Sequence, residues 1–66
     1  MKTEDLAFWL SWCIEEYAFE RKTTPESVLK VFKTNGVIDF LTENAEVLHT
    51  QGKGYVIFSI DKFLEN

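Results

Sequence analysis

The chain has little of what disulfide-stabilised, metal-binding or catalytic small domains depend on. Its 66 residues include one cysteine, one histidine, one proline and three glycines. The single cysteine, Cys13, excludes an internal disulfide, and His49 alone cannot complete a zinc site with it. We therefore expect no metal and no cofactor. A chain this short predicts a single domain, residues 1–66, that buries about 60% of its unfolded surface.

Basic residues and long apolar runs are also scarce. Seven Lys and Arg stand against 11 Asp and Glu, which gives a net charge of −4. Nucleic-acid affinity depends on clustered basic residues, so we expect no nucleic-acid partner. The longest apolar stretch, Leu6 to Ile14, is too short to span a membrane. The acidic pair Glu4 and Asp5 differs from the basic start of an export signal, so we expect a cytoplasmic protein without a membrane partner.

What the chain does have is apolar and aromatic side chains. Its hydrophobic fraction is 45% and its charged fraction 27%, and six Phe, two Trp and two Tyr make up 15% of the residues. This composition predicts a folded globular domain rather than a disordered chain.

The candidates for catalysis are weak. Cys13 falls on an apolar helix face, where a free cysteine is usually a small core residue. Adjacent Glu15 and Glu16 point about 100° apart on a helix, which is poor geometry for a catalytic pair. The turn 52–54 is too short for a phosphate-binding loop. We expect a protein that is not an enzyme and has no catalytic residues.

The first segment, Thr3 to Lys22, predicts a long helix with Thr3 as its N-cap. A helical projection places one apolar stripe toward a core. The stripe consists of Leu6, Leu10, Cys13 and Tyr17, with Trp9 and Ile14 beside it.

A second apolar cluster lies on the far side of this helix. Phe8, Trp12 and Phe19 share that side, next to Glu15 and Glu16. A helix that is apolar on two sides is either covered on both or presents one side to another chain. We predict an interface, to a partner protein or a second copy; burial under later helices is the alternative.

The next segments predict shorter helices. Thr24 fits an N-cap before a helix ending at Asn35-Gly36, with Val28, Leu29 and Phe32 buried. Residues 37–50 predict a third helix, and Asn44 within its apolar face indicates a kink or a break into two. Its apolar face consists of Val37, Leu41, Ala45 and Leu48. A flexible turn is expected over residues 51–54.

The tail, residues 55–65, fits either a strand or a helix. Its β-branched and aromatic residues resemble a strand, but the chain offers no second strand to pair with it. We predict a helix, with Tyr55 and Phe58 pointing away from its apolar face as a weaker contact patch. The fold prediction is therefore all-α, a compact three- or four-helix single domain.

A polar cluster, His49, Thr50 and Gln51, stands before the turn. It fits a helix C-terminus whose side chains satisfy the last carbonyl groups. The alternative is a partner-binding surface, and we include the three residues among the candidate contact residues.

Four blocks of the chain resemble a known family in sequence and order. They are residues 13–18 (CIEEYA), 36–41 (GVIDFL), 47–52 (VLHTQG) and 60–64 (IDKFL). The chain resembles the short bacterial proteins catalogued as domain of unknown function three-seven-nine-one. The resemblance implies a compact helical domain and no established reaction. Members of that family are often encoded beside a protein resembling ADP-ribosyltransferases, as a small acidic antitoxin is beside its toxin.

The sequence therefore supports two alternative hypotheses about function. The first is a non-enzymatic protein-interaction domain, an antitoxin-like partner of an ADP-ribosyltransferase-like protein. The second is a self-associating regulatory or DNA-binding domain, since residues 24–41 have the dimensions of a helix-turn-helix. The second is less favoured, because the helix that would enter the DNA groove carries the acidic residues Asp39 and Glu43.

Overall fold

The computed structural model describes residues 2–65, and all its regular structure is helical. The five helices are α1 (Thr3–Glu20), α2 (Pro25–Thr34), α3 (Val37–Glu43), α4 (Ala45–Leu48) and α5 (Lys53–Glu65). The all-α prediction is confirmed. The tail is α5, a helix rather than a strand, as the lack of a pairing strand indicated.

The start of α1 differs from the prediction by one residue. The N-cap is Lys2, and Thr3 is the first helical residue, so the prediction of Thr3 as the cap is wrong. The helix extends one residue further because the carbonyl oxygen of Lys2 accepts the amide of Leu6 at 2.8 Å. No side chain caps this end, but Glu4 and Asp5 in the first turn complement the helix dipole.

The end of α1 also differs from the prediction, which extended the helix to Lys22. Lys22 has φ = +55°, a left-handed conformation that cannot continue the helix. Its amide donates to the Phe19 carbonyl, and the Thr23 amide donates to the Ala18 carbonyl. These two bonds form a Schellman motif, in which lysine occupies the position where glycine is usual.

The second helix forms as its sequence predicts. The Thr24 hydroxyl accepts the amide of Ser27 at 3.2 Å, and Pro25 takes the first helical position. The helix ends before Gly36, whose φ of +75° supplies the left-handed turn into α3.

The predicted interruption at Asn44 is a break between α3 and α4. The Asn44 side chain donates to the Phe40 carbonyl at 2.8 Å, and its backbone amide bonds to the same oxygen. A side-chain amide that competes for a helix carbonyl favours such a break. The turn that follows is shorter than predicted, because α5 already includes Lys53 and Gly54.

The core contains side chains from all five helices, and those of Phe32, Val37, Leu41 and Ile60 are fully buried. The apolar faces predicted for α2, α3 and α4 supply half of it, although Leu29 is only half-buried. Of the stripe predicted on α1, Cys13 is buried, and the other three residues are half-buried against the core. Two core residues were not predicted as such: Trp9, placed beside the stripe, and Ala18, over which the Schellman turn folds back. The buried set is Trp9, Cys13, Ala18, Val28, Phe32, Val37, Leu41, Ala45, Leu48, Val56, Ile57 and Ile60.

The first helix is almost as long as the domain. Its 18 residues extend about 27 Å at 1.5 Å per residue, and the Cα trace measures 28 × 21 × 20 Å. Helices α2, α3 and α5 all contact α1. The arrangement leaves one long side of α1 in solvent.

Candidate functional site

The uncovered side of α1 carries the aromatic residues that the sequence analysis singled out. Phe8 and Phe19 are each 76% exposed, and Trp12 is 38% exposed. We call these three residues the outer stripe. The alternative, burial of this side under later helices, does not hold for Phe8 and Phe19. Large apolar side chains this exposed are candidate contact residues.

Trp12 links the outer stripe to the core. Its ring stacks on the ring of Trp9, with centroids 5.7 Å apart and planes 18° apart. The buried indole N–H of Trp9 donates to the carbonyl oxygen of Leu41 at 3.0 Å. This carbonyl lies in the last turn of α3, where the helix itself offers no partner. The centre of the outer stripe therefore rests on a fixed ring rather than on a mobile side chain.

The charged side chains that α1 itself places around the outer stripe are all acidic. Helix α1 contains five carboxylates and no Lys, Arg or His. At about 100° per residue, the three aromatic residues lie within about 40° of one another, with carboxylates on both sides. One side has Glu4 and Glu15, and the other has Asp5 and Glu16. An apolar ridge with acidic margins is the result.

The weaker predicted patch lies elsewhere on the surface. Tyr55 and Phe58 are exposed on α5, with ring centroids 6.4 Å apart. They line a shallow cleft of about 320 Å³ between α3 and α5. Phe40 and Phe63, stacked with centroids 4.6 Å apart, also line it. The cleft's walls come from α3 and α5, so this patch is separate from the outer stripe.

The polar cluster at the end of α4 is exposed and partly committed to backbone bonds. The Nδ1 atom of His49 lies 2.7 Å from the Ala45 carbonyl oxygen, and the Thr50 hydroxyl donates to the Val47 carbonyl at 2.8 Å. The Gln51 amide contacts the Thr50 hydroxyl at 3.4 Å. Since a carbonyl oxygen only accepts, Nδ1 carries the hydrogen. These bonds fit the helix-terminus interpretation; partner contact by the three residues stays a prediction.

A polar contact joins the end of α1 to α5, and the sequence did not predict it. The Tyr17 hydroxyl donates to Asp61 at 2.6 Å, and the Arg21 guanidinium forms an ion pair with the same carboxylate. Arg21 also lies over the Tyr17 ring, 5.1 Å from its centroid. No local pattern indicates this contact, because the residues are 40 and 44 positions apart.

An apolar groove of about 570 Å³ lies between α1, α2 and α3. Its walls include Leu10, Ile14, Leu29 and Ile38, all half-buried. The first two belong to the predicted core stripe or its flank. The helical spacing predicted that Leu10 and Ile14 face the other helices, but it did not predict the groove beside them.

Cys13 is buried in the core, as predicted. Burial raises the pKa of its thiol from 9.0 to about 12. A nucleophilic cysteine needs the opposite shift, toward the thiolate. Within residues 2–65 there is no group of three or more His, Cys, Asp or Glu placed to hold a metal ion. None of the described helices has the length and apolar character needed to cross a membrane.

The fold and this surface define a small acidic all-α domain with aromatic side chains exposed along its longest helix. The chain belongs to the family described as protein of unknown function (DUF3791), whose model matches residues 8–66. This confirms the resemblance carried by the four sequence blocks. Neither the search of curated proteins nor the search of solved structures returned a significant match.

Proposed function

We propose that the chain is a non-enzymatic protein-interaction domain and that the outer stripe is its main contact surface. The observation that carries this proposal is the 76% exposure of Phe8 and Phe19 on a helix whose opposite side is core. Exposing two phenylalanines costs solubility without adding stability to the isolated domain. Aromatic side chains dominate binding energy when they enter a partner's pocket.

The partner we propose is an ADP-ribosyltransferase-like protein encoded beside the gene, with the chain as its antitoxin-like neutralising subunit. The support is the gene arrangement that the family resemblance implies, together with the small size and acidity of the chain. A cytoplasmic location is part of this proposal. The exposed residues Tyr55 and Phe58, and the cluster at positions 49–51, are secondary contact candidates.

The second candidate, a helix-turn-helix domain, has less support. Helices α2 and α3 are joined by a short turn, Asn35 and Gly36, and a turn that contains glycine is common in that motif. However, α3 has only seven residues, and Asp39 and Glu43 are among its exposed positions. Carboxylates at these positions would repel the phosphates of DNA. A homodimer through the outer stripe is the other alternative.

The test uses the chain co-expressed with the ADP-ribosyltransferase-like protein of its gene neighbourhood. The variant carries Phe8→Gln and Phe19→Gln, since glutamine keeps helix propensity and removes the apolar surface. We expect the wild-type pair to co-elute in gel filtration and the double variant to elute separately. Circular dichroism should show the same helix content in both chains.

The matched control replaces two exposed valines on other helices, Val31→Gln and Val47→Gln. It removes apolar surface of the same kind without touching α1, and it should leave the complex intact. Co-elution of the Phe8/Phe19 variant, or loss of the complex in the valine variant, would refute the assignment of the outer stripe. Separate elution of the wild-type pair would refute the proposed partner.

A further inference from the structure

We infer that the outer stripe fits an apolar groove whose rims carry Lys and Arg, and that this partner surface is not that of a second copy. The inference rests on the proposed function and adds the chemistry of the binding surface. It follows from where the charges of the chain lie.

The acidity of the chain is concentrated on α1. The helix contains Glu4, Asp5, Glu15, Glu16 and Glu20 and no basic residue, which gives it a charge of −5. The whole chain carries −4, so the remaining residues sum to −4 − (−5) = +1. The net charge therefore belongs to the helix with the exposed aromatic residues, rather than being spread over the surface.

Three of these carboxylates are available at the margins of the outer stripe. Within residues 2–65, Glu4, Asp5 and Glu15 take part in no ion pair, whereas Glu16 lies 3.6 Å from the ammonium group of Lys53. All three are exposed. When Phe8 and Phe19 enter a pocket, these carboxylates come to lie at its edge. An apolar pocket edge would desolvate the carboxylates, and an acidic edge would repel them, so both weaken binding. A basic edge attracts the carboxylates and strengthens binding.

The spacing of the aromatic side chains specifies the groove. Phe8 and Trp12 are one helical turn apart, about 6 Å along the axis, and Trp12 and Phe19 are two turns apart, about 10 Å. The groove must therefore accept three side chains over about 16 Å. This is the geometry of a helix laid between two helices of its partner.

The outer stripe of a second copy does not offer a groove with Lys and Arg at its rims. Two outer stripes in contact would bring together two helices of charge −5, and like charges across an interface suppress association.

The test uses two designed helical-hairpin peptides as probes. Each presents a Leu- and Ala-lined groove between its two helices; the rims carry Lys in one peptide and Glu in the other. We expect the Lys-rimmed hairpin to bind the full chain at least about tenfold more tightly than the Glu-rimmed hairpin at low salt. Raising the salt to 0.5 M should remove most of that difference, because screening shortens the reach of the charges.

Variants of the chain locate the effect. Neutralising the margin with Glu4→Gln, Asp5→Asn and Glu15→Gln should abolish the preference for the Lys-rimmed hairpin. The matched control, Glu26→Gln, Glu43→Gln and Glu65→Gln, removes the same charge from α2, α3 and α5 and should keep it. The Phe8→Gln/Phe19→Gln variant should lose binding to both hairpins.

Several results would overturn the inference. The first is equal binding of the two hairpins, and the second is an equal effect of the two charge variants on that binding. The third is hairpin binding that survives the Phe8 and Phe19 substitutions. The fourth is a wild-type dimer in sedimentation that dissociates when those two residues are substituted. If only the rim charge proves irrelevant while the phenylalanine substitutions still release the natural partner, this inference fails and the proposed function stands. If the hairpins behave as expected but no natural complex forms, the proposed function fails alone.

Discussion

At the scale of single residues, the buried thiol of Cys13 sets a clear expectation. Burial holds its pKa at about 12, so the folded chain presents almost no thiolate at neutral pH. We predict that a disulfide reagent at pH 8 leaves Cys13 unmodified on the timescale at which a free thiol reacts. The same reagent should modify it promptly in denaturant. Fast modification of the folded chain would contradict the packing described for α1.

The same pKa shift makes stability depend on pH in a defined direction. Above about pH 9 the unfolded chain loses the thiol proton while the folded chain keeps it, so the free energy of unfolding falls as pH rises toward 12. Below pH 9 this contribution is fully present. Urea unfolding at pH 8 and pH 10 should show a smaller decline for Cys13→Ala than for the wild type, and an equal decline in both would count against the shift.

Asp61 is the acceptor that joins the end of α1 to α5. Replacing it by alanine removes the partner of both Tyr17 and Arg21. We predict a loss of about 1–2 kcal/mol in the free energy of unfolding, because the Tyr17 hydroxyl is half-buried and the ion pair is partly exposed. Asp39→Ala, which removes an exposed carboxylate on α3, should cost less than about 0.5 kcal/mol in urea unfolding. Equal effects would show that the contact contributes nothing.

At the scale of secondary-structure elements, α1 and α2 end in the same way with different residues. Each is followed, two positions after its last residue, by a left-handed residue: Lys22 after α1 and Gly36 after α2. Only glycine adopts this conformation without steric cost. We predict that Lys22→Gly raises the free energy of unfolding by about 0.5–1 kcal/mol and that Gly36→Ala lowers it by about 1 kcal/mol or more.

Thermal unfolding followed by circular dichroism measures both effects. The Cβ of an alanine at position 36 would meet only Phe63, at an ordinary 4.0 Å, so the cost at Gly36 comes from the backbone. Gly54→Ala is the control, because position 54 lies in α5 in open space and the substitution should stabilise the helix by about 0.5–1 kcal/mol. A destabilising effect of Lys22→Gly would contradict the turn described at the end of α1.

The helices with clear capping residues at their ends were predicted most accurately. Helix α2 has Thr24, Pro25 and Gly36 at its ends, and its bounds were predicted nearly to the residue. The end of α1 was missed because Lys22 gives no sign of a left-handed turn. The contact of Arg21 with Asp61 was missed because it depends on how α1 and α5 pack together.

The candidate site was largely predictable because a helix places residues at known angles. Phe8, Trp12 and Phe19 fall on one side of α1 by spacing alone, opposite the core stripe. Which side the later helices cover could not be derived from that spacing, because it depends on the directions of α2, α3 and α5. The stacking of Trp12 on Trp9 and the groove beside Leu10 depend on the same packing and were not predicted.

At the scale of the whole molecule, a long helix is only half covered. The four later helices pack on one side of α1, where Trp9 and Cys13 are buried, and leave Phe8 and Phe19 in solvent. The uncovered side is also the acidic side. The most exposed aromatic side chains and the excess negative charge therefore lie on a single helix.

Hydroxyl-radical footprinting of the chain with and without the proposed ADP-ribosyltransferase-like partner tests the assignment of the outer stripe most directly. The radical oxidises exposed aromatic side chains, so both aromatic patches are measured in one experiment. We predict that complex formation protects Phe8, Trp12 and Phe19 strongly, with Tyr55 and Phe58 protected less. Protection of Tyr55 and Phe58 with unchanged oxidation of Phe8 and Phe19 would contradict it.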